Sequence, residues 1–530
     1  METVPVNKTS KKKSRVAKPY GRWVIARKVV QYISLAVFLL FFLMTRRDGW
    51  PASLVNIPMR LDPLTMLSNL LASRIFLAAS SLAIITLFAT LVFGRAWCGW
   101  ICPLGTTLDI FSLNRARGKQ HAPSEYWRNV KYVLLITILT AALFGNLTLL
   151  ALDPLTLLFR SLTVAFMPAL NQGISIAEGV LFQIPQISDA VGTFDEWIRP
   201  GFLPLEPLYS HEAFLFGTIF TSVIVLNLFA PRFWCRYLCP LGGMLGLLSR
   251  LAFFRREVSE PCKGCTLCTS SCPTGTINPE KNYASDPAEC TMCMECLEPC
   301  PRSLIRFTPG LKLAEGQEYD PSRRQILVTF GMTLAALALF RITSLAKREP
   351  SFLIRPPGAR EVNDDVLEMS KCIRCSACMR ACPTNALQAS TLEAGLEGFG
   401  APIIIPRIGY CEFSCNACGQ VCPVGAIPPL SLEEKQGQVI GKAYINESRC
   451  IAWSDHRECI VCEEMCPVAD KAIQLEEKQV WGPDDTTVTI QLPHVLRERC
   501  IGCGICEYKC PVNSESAIRV FVPQSSEALF

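Results

Sequence analysis

The chain of 530 residues is half hydrophobic, carries a formal net charge of +6 and has a mean hydropathy of +0.27, which predicts several domains of more than one class. Its four histidines (His121, His211, His456 and His494) all lie outside the apolar runs, which excludes a bis-histidine haem held within a bilayer. Charge is unevenly divided: from Pro350 onward 16 Lys and Arg face 23 Asp and Glu, a net of −7, whereas the first 349 residues carry +13, as expected of a basic membrane part and an acidic part meeting a different surface or compartment.

Residues 1–22 form a polar, basic tail with Lys11, Lys12, Lys13, Arg15, Lys18 and Arg22, whose charge places it on the cytoplasmic side. Apolar runs follow at about 28–44, 75–94, 132–151 and 213–230, each close to the ~20 residues that a spanning helix needs. Residues 23–254 are therefore expected to be a membrane domain of four or more helices.

Two phrases are repeated within it. Arg95-Ala96-Trp97-Cys98 to Cys102-Pro103-Leu104-Gly105 returns as Arg232-Phe233-Trp234-Cys235 to Cys239-Pro240-Leu241-Gly242. Leu61-Asp62-Pro63-Leu64-Thr65 returns as Leu152-Asp153-Pro154-Leu155-Thr156. The order helix, Leu-Asp-Pro-Leu-Thr, helix, Cys-x-x-x-Cys-Pro thus occurs twice, an internal two-fold repeat. With the N-terminus inside, the cysteine phrases fall at the cytoplasmic edge and the aspartates on the outer side, and Arg115, Arg117, Lys119, Arg128 and Lys131 agree with that orientation. The insertion 159–211 is apolar but broken by Pro168, Pro185, Pro200 and Pro204.

All 28 cysteines fall into groups: the two Cys-x-x-x-Cys-Pro pairs and six quartets beyond residue 260. A disulfide framework predicts scattered spacings in a short secreted chain, whereas these quartets share a tight spacing and each ends in Cys-Pro, the pattern of iron–sulfur ligation. In residues 255–310 the first two are Cys262, Cys265, Cys268, Cys272 and Cys290, Cys293, Cys296, Cys300, the two-cluster ferredoxin spacing in which the fourth cysteine reaches the other cluster. The expected ligand sets are Cys262, Cys265, Cys268 with Cys300, and Cys290, Cys293, Cys296 with Cys272. A zinc site would need only four ligands and no matched second quartet.

Residues 311–349 contain Arg323-Arg324 before the modest apolar stretch 326–340, a pattern like the export signal of proteins that cross a membrane already folded, and are expected to be a transmembrane anchor. Residues 350–530 then carry four more quartets: Cys372, Cys375, Cys378, Cys382; Cys411, Cys415, Cys418, Cys422; Cys450, Cys459, Cys462, Cys466; and Cys500, Cys503, Cys506, Cys510. The two irregular quartets are the inner ones, which favours a nested pairing of first with fourth and second with third. The fold class expected is a multi-pass α-helical membrane domain with an internal two-fold repeat, plus α+β bacterial-ferredoxin-like [4Fe-4S] domains with six clusters.

On these motifs, residues from about 28 to 530 resemble a NapH-type membrane ferredoxin joined to a NapG-type four-cluster polyferredoxin, and the membrane part is also similar to NosR and CcoG. The resemblance implies oxidation of menaquinol at the inner membrane, with residues 255–310 cytoplasmic, 350–530 periplasmic, and electrons delivered to a periplasmic acceptor protein. Two features depart from the pattern: the two parts share one chain, and the twin arginine is internal. The resemblance also leaves room for a redox maturation factor that reduces metal for another enzyme, or for electrons entering from a cytoplasmic ferredoxin. Nothing in the sequence resembles a nucleic-acid partner site, a nucleotide fingerprint or a catalytic site for a terminal substrate.

Asp62 and Asp153 are the candidate quinol carboxylates, since an acid at membrane depth suggests function; the competing reading is an N-cap followed by proline at the first helical position. Cys98, Cys102, Cys235 and Cys239 are expected to lie in pairs on one helical face. They are candidates for an additional metal or cluster, for a redox-active thiol pair, or for a structural role. Trp97, Trp100, Trp234 and Tyr237 beside them are expected to anchor at the membrane interface.

Overall fold

The computed structural model describes residues 21–46, 50–112, 125–199, 208–259, 262, 265–310, 326–335, 353–359, 371–481 and 487–522. The twin arginine and most of the basic tail lie outside these residues. Helix Arg22–Met44, with mean hydropathy 1.8, is long and apolar enough to cross a membrane, and among the described residues it is the one that is. One face carries the buried Val24, Phe38 and Phe42, while Ile25, Val29, Ile33 and Leu40 are exposed.

The other apolar runs are helical over shorter lengths. Run 75–94 is a 3-10 turn, Ala78–Leu82, leading into helix Ala83–Phe93. Run 132–151 stops as helix Val130–Leu143 because Gly145 takes φ +81 and the Asn146 side chain accepts the Thr148 N–H at 2.9 Å, opening a new 3-10 turn. Run 213–230 is helix Ala213–Val225. The insertion is helical too: Pro154–Ser161 passes through a π turn at Leu162–Phe166 into Met167–Leu181, and Ser188–Ile198 folds back beside it, tied by Arg199 to Glu178 at 2.5 Å. Residues 326–335 are helical.

Each aspartate of the Leu-Asp-Pro-Leu-Thr phrases caps a helix. Asp62 accepts from the Leu64 N–H and the Thr65 hydroxyl, both at 2.9 Å, and Asp153 from the Leu155 and Thr156 N–H groups at 2.9 and 3.2 Å. Pro63 and Pro154 occupy the first helical position, where a missing N–H costs nothing.

The ferredoxin parts are small antiparallel sheets under cysteine loops. Phe254–Val258 pairs with Ile305–Pro309 around the first two quartets. Leu387–Ala389 pairs with Pro402–Ile404, Ile473–Trp481 with Thr487–Val495, and Lys442–Ile445 with Ile518–Phe521. They sit at opposite ends of the helical unit. Arg27, near the start of the first helix, reaches Glu295 at 2.8 Å. At its other end Phe42 lies under the Arg380 guanidinium and Arg46 donates to the Pro383 carbonyl at 3.1 Å. Fifteen residues of helix between Arg27 and Phe42 hold the two parts roughly 20–25 Å apart, at about 1.5 Å per residue.

Candidate metal centres

Beyond residue 371 the cysteines form four cradles. Cys372, Cys375 and Cys378 are joined by Cys422 around one hollow. Cys411, Cys415 and Cys418 are close neighbours of Cys382. Cys450, Cys459 and Cys462 are joined by Cys510 around a second hollow, and Cys500, Cys503 and Cys506 by Cys466 around a third. The nested pairing expected from sequence is therefore wrong: first pairs with second and third with fourth. The reason is local. The hairpin 387–404 folds the second quartet back on the first, and hairpin 473–495 does the same for the last two. The long first gap of the third quartet is taken up by the short helix Ile451–Ser454. Sulfur-lined cavities with apolar walls fit [4Fe-4S] cubanes.

In the inner part, Cys272 lies close to Cys290, Cys293 and Cys296, while Cys262 and Cys265 are exposed. The second quartet is pressed against the helical unit. Arg95 donates to the Ala288 carbonyl at 2.8 Å, Arg95 and Lys131 both pair with buried Glu289, and Trp100 donates to the Met292 carbonyl at 2.9 Å. Burial alone would push the Glu289 carboxyl up, but Lys131 and Arg95 hold it below its ordinary value. A Cβ on Gly99 would stand 2.1 Å from the Thr291 carbonyl oxygen, so only glycine admits this approach.

The four Cys-x-x-x-Cys-Pro cysteines are all buried and free of disulfides, and they crowd one another across the two copies. They do not lie in pairs on one helical face. Cys98 belongs to helix Ala96–Trp100 and Cys235 to the π turn Trp234–Leu238, whereas Cys102 and Cys239 are the caps of new helices, Pro103–Ile110 and Pro240–Ser249. Pro103 and Pro240 force the break, because proline disfavours helical backbone in the residue before it. The two copies clasp each other: Arg95 donates to the Cys235 carbonyl at 3.5 Å and Arg232 to the Cys98 carbonyl at 3.1 Å. The aromatic residues expected to anchor at an interface are instead taken up by protein. Trp234 and Tyr237 are buried and Trp100 is bonded to the ferredoxin loop, because residues 288–295 cover this end of the helices.

Asp62 and Asp153 are fully buried and meet each other. Burial pushes both carboxyls up, Asp153 well up because the Asp62 charge also faces it. They lie beneath the first outer cradle: Asn69 donates to the Lys371 carbonyl at 3.0 Å, and Arg160, seated on the Phe216 ring, is a charged neighbour of Arg374 and Cys375. A shallow cleft opens at the same seam between Arg46, Thr163, Pro168, Ser210, Arg380 and Gln388.

Sequence reasoning missed Arg95, Arg232, Asp109, Lys131 and Glu289. Both arginines stood in the duplicated phrase, and the duplication itself was the available signal. Their acidic partners left none, being fixed only by the fold.

Comparison with known proteins agrees with this geometry. A family described as "4Fe-4S dicluster domain" matches residues 371–426, spanning the first two outer quartets as one unit, and "4Fe-4S binding domain" matches residues 493–514. Another "4Fe-4S binding domain" matches residues 75–120 and 212–259, the two copies of the helical unit. The methylamine utilization ferredoxin-type protein MauM of Methylorubrum extorquens is 33% identical over 212 residues, 38% of this chain and 89% of that protein. The chain belongs to this ferredoxin-type family. It is also similar to the ferredoxin-type protein NapG of Haemophilus influenzae, 31% identical over 216 residues (38% of this chain, 72% of NapG), and to NapH of Escherichia coli, 23% identical over 303 residues (54% of this chain, 89% of NapH). No solved structure matches. The chain is thus an iron–sulfur electron-transfer protein with NapG-like and NapH-like parts.

Proposed function

We propose that this protein is a multi-pass inner-membrane quinol dehydrogenase, oxidising menaquinol and passing electrons through six ferredoxin-type clusters to a periplasmic acceptor protein. The observation that carries the reading is the seating of the four-quartet part on the end of the helical unit where the two Leu-Asp-Pro-Leu-Thr copies meet. Residues 255–310 then face the cytoplasm and the four-quartet part the periplasm. Exposed Ile84, Ile85, Phe88, Phe93 and Phe214 suit contact with lipid rather than water.

The clusters, when bound, supply one-electron steps from ligand set to ligand set. The seam cleft puts apolar and polar side chains together beside the short helix that carries Cys378 and ends at Cys382, and a quinol head group would enter there only by widening it. Quinol oxidation also releases protons. Asp62 and Asp153, with carboxyls held up by burial, are poised to accept and share them.

The test uses the full-length holoprotein in vesicles containing menaquinol, with cluster reduction followed by visible absorption. Asp62→Asn and Asp153→Asn are expected to slow reduction about a hundredfold at unchanged iron content, the low end of general acid–base effects. Unchanged rates in both variants would remove the carboxyls from the reaction.

One observation favours a second reading. Cys262 and Cys265 lie at the surface, so the first inner cluster would be open to a soluble partner. Electrons would then enter from a cytoplasmic ferredoxin, or the protein would serve as a redox maturation factor. Reduction of the clusters by a soluble ferredoxin, with no response to menaquinol, would decide for it.

A further inference from the structure

We propose that Cys98, Cys102, Cys235 and Cys239 together ligate one additional [4Fe-4S] cluster, shared between the two copies of the helical unit, which relays electrons between the inner and outer ferredoxin parts. The matches at residues 75–120 and 212–259 each contain only two cysteines of this kind, so neither copy alone can complete a cubane's four thiolates. The fold supplies the missing half from the other copy.

Several observations converge on a cluster rather than a single ion or a thiol pair. All four thiols are buried, and no disulfide joins them. Among the described residues, no three Cys, His, Asp or Glu side chains converge closely enough for a single metal ion, and this holds equally for the ferredoxin quartets. The Gly242 N–H donates to the Cys239 sulfur at 3.2 Å, a contact of the kind that tunes cluster potentials. Trp97 Nε1, Trp234 Nε1 and the Tyr237 hydroxyl are buried donors with no acceptor in the protein, available to cluster sulfur.

Charge points the same way. Four thiolates on an oxidised cubane leave a net charge of about −2 to be held away from water. Arg95 and Arg232 are almost wholly buried, and each is tied to the carbonyl of the opposite copy's first cysteine. The Arg95 guanidinium passes 2.8 Å from where a Cβ of Gly242 would stand, beside the Cys239 sulfur, which explains the glycine. These arginines are positioning residues: they close the cage and balance its charge.

The place of the site supplies its role. The loop carrying Cys290 and Cys293 docks directly on Gly99 and Trp100. On the far side, one continuous buried core joins the four cysteines to Cys372 and Cys375. The step is a one-electron transfer in which no bond forms: the neighbouring cluster on one side is oxidised as this one is reduced, and the electron then leaves to the neighbour on the other side.

The inference rests on the iron–sulfur identity of the chain and not on quinol, so its test needs no quinol. Iron and acid-labile sulfide are counted in anaerobically purified full-length holoprotein, with Mössbauer spectra of the same sample. The expected count is about 28 irons per chain, seven cubanes, falling to about 24 in Cys98→Ser/Cys235→Ser with the ferredoxin signals kept. Arg232→Lys is expected to keep the iron while shifting the potential of one cluster only. A wild-type count of about 24 irons and 24 sulfides, with Mössbauer spectra accounted for by six cubanes, would overturn the proposal whether or not any variant folds.

Discussion

The two copies of the cysteine phrase are built from the same words and have different neighbours. In the first copy Arg95 turns to Glu289 of the inner ferredoxin, whereas in the second Arg232 turns to Asp109 within the helical unit, its Nε 2.7 Å from the carboxylate. Between the cysteines the first copy has Gly99, which lets the Thr291 carbonyl approach, and the second has Arg236, which reaches out beside Gly275. The first copy is a short α-helix and the second a π turn, and the left-handed backbone falls on Gly94 in one and on Arg232 in the other. What the copies share, two cysteines and an arginine, makes the centre. What they do not share sets how each copy meets the inner ferredoxin, the first through Gly99 and Trp100 and the second through Arg236 beside Gly275.

That division can be broken at either side. The largest effect is expected from Glu289→Gln, which leaves Lys131 and Arg95 buried without their acid, at a cost of about 3–5 kcal/mol. Residues 255–310 should become protease-sensitive while the helical unit stays folded. Arg232→Ala should do the reverse, lowering the thermal stability of the helical unit by ~3 kcal/mol, the lower end because the Asp109 side chain keeps 32% of its surface exposed. Gly99→Ala should cost about 1–3 kcal/mol by overpacking against Thr291, again read as protease release of the ferredoxin.

The smallest effect concerns the other repeated phrase. Asp62 and Asp153 are raised in the folded state, so the fold keeps a proton that the unfolded chain releases, and stability falls as pH rises above about 4. Asp153→Asn should flatten that slope in thermal melts taken across pH; an unaltered slope would mean the pair shares no proton.

Much of this protein was legible in one dimension because much of it is local. The cysteine quartets are short-range spacings, and the Asp-Pro caps form within a single turn. The helix break at Cys102 and Cys239 was equally legible, since Pro103 and Pro240 announce it, and the expectation of one continuous helical face overlooked them. The quartet pairing was misjudged because spacing regularity carries no information about which loop folds on which. The hairpins at 387–404 and 473–495 carried it instead.

The sequence by itself determined the cofactor chemistry, the duplication and the succession of parts, because ligand spacing, capping and hydropathy act over a few residues at a time. Only the tertiary structure decided that Asp62 meets Asp153, that Arg95 and Arg232 clasp the opposite copy's cysteine, and that the two ferredoxin parts stand at opposite ends of the helical unit. Those contacts join residues about a hundred or more positions apart, where burial and charge pairing choose the partner and no local pattern records the choice.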